Sequence, residues 1–121
     1  MRRHIQSIEW ARPGAGADAD LTDAIEEGNV TATPHPNDAV DESKGYTVHL
    51  TLKSDQTALA EEFQEALLDV EPSTVTLQLE GVDEPIREVP VGVTKVPYPG
   101  DQNDAELSVK PEGHGALHEH F

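Results

Sequence analysis

"YTVHLTLKSDQTALAEEFQEALLDVEPSTVTLQLEG", residues 46–81, changes its hydrophobic period twice. At its start Tyr46, Val48, Leu50 and Leu52 share one face while Thr47, His49, Thr51 and Lys53 share the other, the alternation of a half-buried strand. From Leu59 the apolar residues recur at Phe63, Leu67 and Val70, which predicts an amphipathic helix over about residues 56–70 packed through those side chains. Ser54 or Asp55 stands where a cap is expected, Glu61, Glu62 and Glu65 take the opposite face, and Pro72 stops the helix. "STVTLQLEG" then returns to the strand period, with Val75, Leu77 and Leu79 inward and Thr74, Thr76 and Gln78 outward. So heavy an apolar stripe on so short a helix has to lie against a sheet or a neighbouring subunit.

Outward from this unit the pattern stays β. In "IREVPVGVTKVPYPGDQNDAELSVKPEG", residues 86–113, Val89, Val91 and Val93 alternate with small or polar neighbours. The prolines of that run suit an edge or a kinked position. "PGDQND" is a turn of the kind that joins antiparallel strands, and Ala105, Leu107 and Val109 mirror the valines beyond it. Upstream, "ARPGAGADAD" and "TPHPNDAVDES" supply Gly, Pro, Asp and Asn with little to bury, although "HIQSIEW" alternates loosely and "NVTATP" suits a short strand. The expected organisation is an extended N-terminal arm over residues 1–44, a β-rich core with one helix over 45–112, and a C-terminal tail over 113–121.

A chain of 121 residues is one domain's worth. Its 24 acidic residues against 8 basic ones give a formal net charge of −16, spread from end to end. That is the surface expected in molar salt, where carboxylates hold water and cations; at low salt the same charges repel one another. It leaves no basic patch for sequence-specific nucleic-acid binding. Cysteine is absent, which removes disulfides, thiolate metal sites and cysteine catalysis. "MRRHIQSIEW" lacks the apolar run of a signal peptide and no stretch is long enough to span a bilayer, so synthesis in the cytoplasm is expected. "NVT" at 29–31 matches a glycosylation sequon too short to weigh.

Candidate chemistry is sparse. His114 and His118, at i and i+4 in "GHGALHEHF", could share a helical face and bind zinc with His120 and Glu119 nearby. Gly113 and Gly115 loosen that segment, and a tail is the stronger reading. Glu61 and Glu65 lie on the solvent face of the helix, and "GAG" at 14–16 lacks the strand, third glycine and lysine of a phosphate loop. No catalytic residue, metal or cofactor is expected.

The run from "YTVHLTL" through "ALAEEFQEALLD" into "STVTLQLEG", then a valine-rich strand, the "PYPGDQND" turn and a last strand ending "SVKPEGHG", resembles the tail tube proteins of long-tailed viruses. The likeness covers about residues 45–115 and consists of element order and spacing. It implies a β-sandwich or barrel with one flanking helix, assembling into hexameric rings that stack as a conduit for viral DNA. With the acidic surface, it implies the tail of a siphovirus-type virus infecting halophilic archaea. Partners would be further copies, other tail or neck proteins, and DNA passing without sequence-specific contacts. On this reading Ile5, Ile8, Trp10, Leu21 and Ile25 anchor the arm on a neighbouring subunit. The chain is short for a tail tube subunit; head-completion or stopper proteins of the virion neck are also small and β-rich. A small halophile regulatory or peptide-binding domain is the alternative of another class.

Overall fold

The computed structural model describes residues 2–12, 19–33, 45–68, 71–97 and 103–118. Seven strands form it: β1 (Arg2–Ala11), β2 (Ala19–Asp20), β3 (Ile25–Thr33), β4 (Gly45–Leu52), β5 (Ser73–Leu79), β6 (Ile86–Lys95) and β7 (Asp104–Val109). Helix α1 (Thr57–Ala66) joins β4 to β5, and a 3-10 turn (Pro111–Gly113) leads into the short α2 (His114–His118). Every pairing is antiparallel. The strand order β1-β3-β4-β7-β6-β5 closes through β5 onto β1, giving a six-stranded barrel with β2 attached to β1. The mainly β class with one flanking helix is therefore what the sequence period implies.

Alternation produces the inner wall. Along β4, Tyr46, Val48, Leu50 and Leu52 are buried; Val75, Leu77 and Leu79 of β5 and Ala105, Leu107 and Val109 of β7 join them. Each valine or leucine among them contributes about 1.5–3 kcal/mol by leaving water. Since β4 and β5 are three places apart in either direction round the ring, the connection between them has to cross the barrel. That crossing is α1, with Leu59, Ala60, Phe63 and Ala66 buried and Glu61, Glu62 and Glu65 exposed. The side chain of Gln64 donates to the Pro97 carbonyl at 3.1 Å, tying the helix to the chain beyond β6.

The structure moves the expected N-terminal boundary. Residues 2–11 are not an arm but a barrel stave: β1 pairs with β3 through Arg2–His4 and with β5 from Ile5 to Ala11. β1 leaves β3 after His4, and the chain around β2 occupies the gap, Leu21 N–H donating to the Ile8 carbonyl (2.9 Å) and Ile8 N–H to Thr22 Oγ1 (3.2 Å). The Gly- and Pro-rich composition on either side conceals two strands that draw their hydrogen bonds from partners far along the chain.

The C-terminal segment is likewise more than a tail. Leu117 is fully buried in the core, and Gly113 sits so close to β6 and β7 that a Cβ there would lie 2.9 Å from Val89 and 3.0 Å from Pro90. Within β6, the register against β5 shifts between Val75 and Leu77, and Glu88 takes the positive φ of 53° at this bulge. Pro90 follows it, so the proline marks a kinked position rather than an edge.

Candidate functional site

Twenty-three buried apolar side chains fill the interior of the described barrel, so what this fold offers a partner lies on its outer surface. Three of the five proposed anchor residues are in that interior: Ile8 is 0% exposed, Trp10 2% and Leu21 2%. Ile5 and Ile25 pack against the same core, meeting at Gly28. Ile8, Trp10 and Leu21 therefore use their apolar surface within the chain, whereas Ile5 and Ile25 are partly buried. Trp10 stacks on Phe63 with ring centroids 4.4 Å apart, joining β1 to α1.

The helix stripe is also shifted. Ala60 and Ala66 join Leu59 and Phe63 on the buried face, while Leu67 follows the last residue of α1. Leu67 is 50% exposed and Leu68 83%. Val70 lies outside the described residues. Neither Ser54 nor Asp55 caps α1: its N-cap is Gln56, without a side-chain capping bond. His114 and His118 fall in α2, and His120 lies outside the described residues. Among the described residues no three His, Asp or Glu side chains gather to hold a metal ion.

Two surface features emerge from the folded register. On the outer face of β3, β4 and β7, Thr31 Oγ1 lies 3.0 Å from His49 Nε2, and His49 Nδ1 lies 3.3 Å from Glu106 Oε1. Both ring nitrogens of His49 thus have a polar neighbour, a carboxylate at Nδ1 and a hydroxyl at Nε2. Thr51 donates to Asp104 at 3.0 Å one step along. These are polar rungs between neighbouring strands, each worth about 0.2–1 kcal/mol to the sheet. Both His49 and Glu106 are about one third exposed, at 36% and 35%, so the row is open to solvent.

The second feature is α1 itself. At its C-terminal end Leu67 and Leu68 form an apolar knob, and both Glu71 and Lys110 line the groove beside Leu67. Near the start of α1 a shallow depression is lined by Leu21, Ala24, Ala58 and Leu59, with Asp20 and Glu62 at its rim. Thr22 N–H donates to Asp20 Oδ1 at 2.9 Å, and hydrogen bonds from the Thr22 hydroxyl and amide hold that carboxyl below its ordinary pKa. Arg12 spans from β1 to the helix, 3.3 Å from Glu65.

The strand period places His49 outward, but its partner Glu106 depends on the β4–β7 register, which local pattern does not carry. Leu67, which the spacing places on the packed face, is half-exposed, and Leu68 beside it is exposed.

No family model and no curated protein matches the chain. Among solved structures it is similar to the crystal structure of a hypothetical protein from Staphylococcus aureus, with a TM-score of 0.55 at 7% identity. The match covers 89% of this chain and 66% of that one, so the chain spans about two thirds of that protein's length. At this identity the likeness concerns the fold alone.

Proposed function

We propose that this chain is a structural virion protein, a tail tube subunit or a related stopper of the neck, from a long-tailed virus of halophilic archaea. The observation that carries the reading is the closed barrel filled by its own side chains, with one helix across it and an apolar knob left on the surface. Such a body is suited to repetition: it acts by what it touches. The element order shared with tail tube proteins supports the same reading.

Stacked rings of subunits carrying a net charge of −16 would form an acidic conduit. Carboxylates facing a lumen repel the phosphate backbone, so DNA would pass without adhering, and molar salt would screen the repulsion between subunits. Peptide capture at a sheet edge is disfavoured by the topology, because the barrel pairs β1 with β5 and the attached β2 is only two residues long.

Electron microscopy of the purified chain in molar KCl, alone and with the other tail proteins of its virus, tests the proposal. Rings or tubes are expected. A chain that adds to neither under these conditions would contradict it.

A further inference from the structure

We infer that Thr31, His49 and Glu106 form an esterase site on the outer face of the barrel, with Thr31 as nucleophile, His49 as general base and Glu106 as the residue that positions the imidazole. This activity goes beyond the assembly reading and does not depend on it. Nucleophilic catalysis by a hydroxyl needs an oxygen within hydrogen-bond reach of a base, and a third group that orients the base. The three side chains meet in that order: Thr31 Oγ1 lies 3.0 Å from His49 Nε2, and Glu106 Oε1 lies 3.3 Å from His49 Nδ1. They stand on β3, β4 and β7, where the registers set Asn29 opposite His49 and His49 opposite Glu106, so strands and not loops hold the geometry.

A second observation lies beside the ring. Asn29, the cross-strand partner of His49, is only 9% exposed, and its side-chain amide has no hydrogen-bond partner among the described residues. It lines, with His49, an open depression of about 310 Å³, and Thr31 follows two residues along the same strand. An uncommitted amide N–H next to a base is what a developing oxyanion requires. Thr51, Lys95, Asp104 and Glu106 complete the polar lining, and Asp104 accepts from Thr51 at 3.0 Å. Two carboxylates against one ammonium disfavour an anionic substrate, so the substrate class is a small uncharged ester.

The Thr31 oxygen attacks the ester carbonyl carbon, its proton passes to His49 Nε2, and the Asn29 amide donates to the oxyanion. Collapse breaks the bond to the leaving alcohol, which takes the proton from Nε2 and leaves an ester on Thr31. Water attacks the same carbon and gives its proton to Nε2; the Thr31 oxygen departs with that proton as the carboxylic acid is released. The sequence requires the ring proton on Nδ1, toward Glu106.

The test treats the full chain in molar KCl with p-nitrophenyl acetate, following nitrophenolate release and locating any acetyl group by peptide mass spectrometry, with circular dichroism as the check on folding. The unaltered chain should carry acetyl on Thr31. Thr31→Val and His49→Gln should each lower release about 100-fold and abolish that label. Thr31→Ser should keep it, Glu106→Gln should lower kcat at unchanged KM, and His4→Gln, which removes an exposed imidazole of β1, should change nothing. An unaltered chain that is not acetylated on Thr31, or that releases nitrophenolate no faster than folded Thr31→Val or His49→Gln, overturns the proposal.

Discussion

Trp10 and Phe63 stack with centroids 4.4 Å apart and ring planes at 21°, so a residue near the end of the first strand and one in the middle of α1 form a single buried contact. It fastens the helix across the barrel to the strand that closes it. Phe63→Ala should cost about 3–5 kcal/mol, as a large cavity opens in a filled core. The Trp10 indole N–H is buried without a partner among the described groups. Trp10→Phe should therefore cost clearly less than Trp10→Ala, because it gives up area but also an unpaired donor. Urea unfolding in molar salt measures both. Removal of residues 1–11 should abolish the fold, since it takes out the stave between β3 and β5.

Glu88 holds a φ of 53° at the β6 bulge, a left-handed conformation that favours glycine. Glu88→Gly should relieve about 1–2 kcal/mol of backbone strain and give back part of it through the freer unfolded chain, for a net gain of up to about 1 kcal/mol. The comparison of denaturation midpoints at equal m-value reads it; a loss of stability would mean that the Glu88 side chain contributes more than its backbone costs.

Gly113 gives the opposite sign. A methyl group there would lie 2.9 Å from Val89, 3.0 Å from Pro90 and 3.1 Å from Val109. Gly113→Ala should cost about 1–3 kcal/mol through overpacking. Gly45→Ala, at a site with no atom within 4 Å of the added carbon, is the control and should be near neutral. Thermal unfolding of the pair separates a packed C-terminal turn from a loosely attached one.

What the sequence made legible follows the physics of short-range pattern. The alternation in Tyr46–Leu52, Val75–Leu79 and Ala105–Val109 was readable because each inward residue is apolar and each neighbour polar. Ile5, Ile8 and Trp10 defeated the same reading. Their strand is interrupted by a register shift between Ile5 and Ser7 and changes partner along its length, so no single period runs through it. Leu67 was misplaced because spacing specifies a face only while the helix continues, and α1 ends at Ala66. Thr31, His49 and Glu106 come from three strands, and their meeting depends on registers that local pattern does not carry.

The Asp20 carboxyl should titrate below an ordinary aspartate because Thr22 hydrogen bonds favour its charged form. The native pKa is lowered, so its contribution to stability is present above the unfolded-state value of about 3.9 and is lost as pH falls through the lowered native value. Carboxyl chemical shifts followed by NMR should place Asp20 among the most acidic aspartates. Thr22→Val should move its titration upward; an unchanged titration would show that the threonine does not hold it.

If a self-contained barrel assembles through its outer surface, dilution of salt should separate assembly from fold. Lowering salt from molar to about 0.1 M stretches the screening length from about 3 to about 10 Å, so repulsion between chains of net charge −16 reaches across an interface before it disrupts a filled core. Sedimentation and circular dichroism recorded on the same samples should show large assemblies in molar salt falling to monomers on dilution while the strand signal holds. A chain that sediments as a monomer at molar salt and high concentration, or that loses its strand signal before its size, would show that the barrel does not assemble through its outer surface.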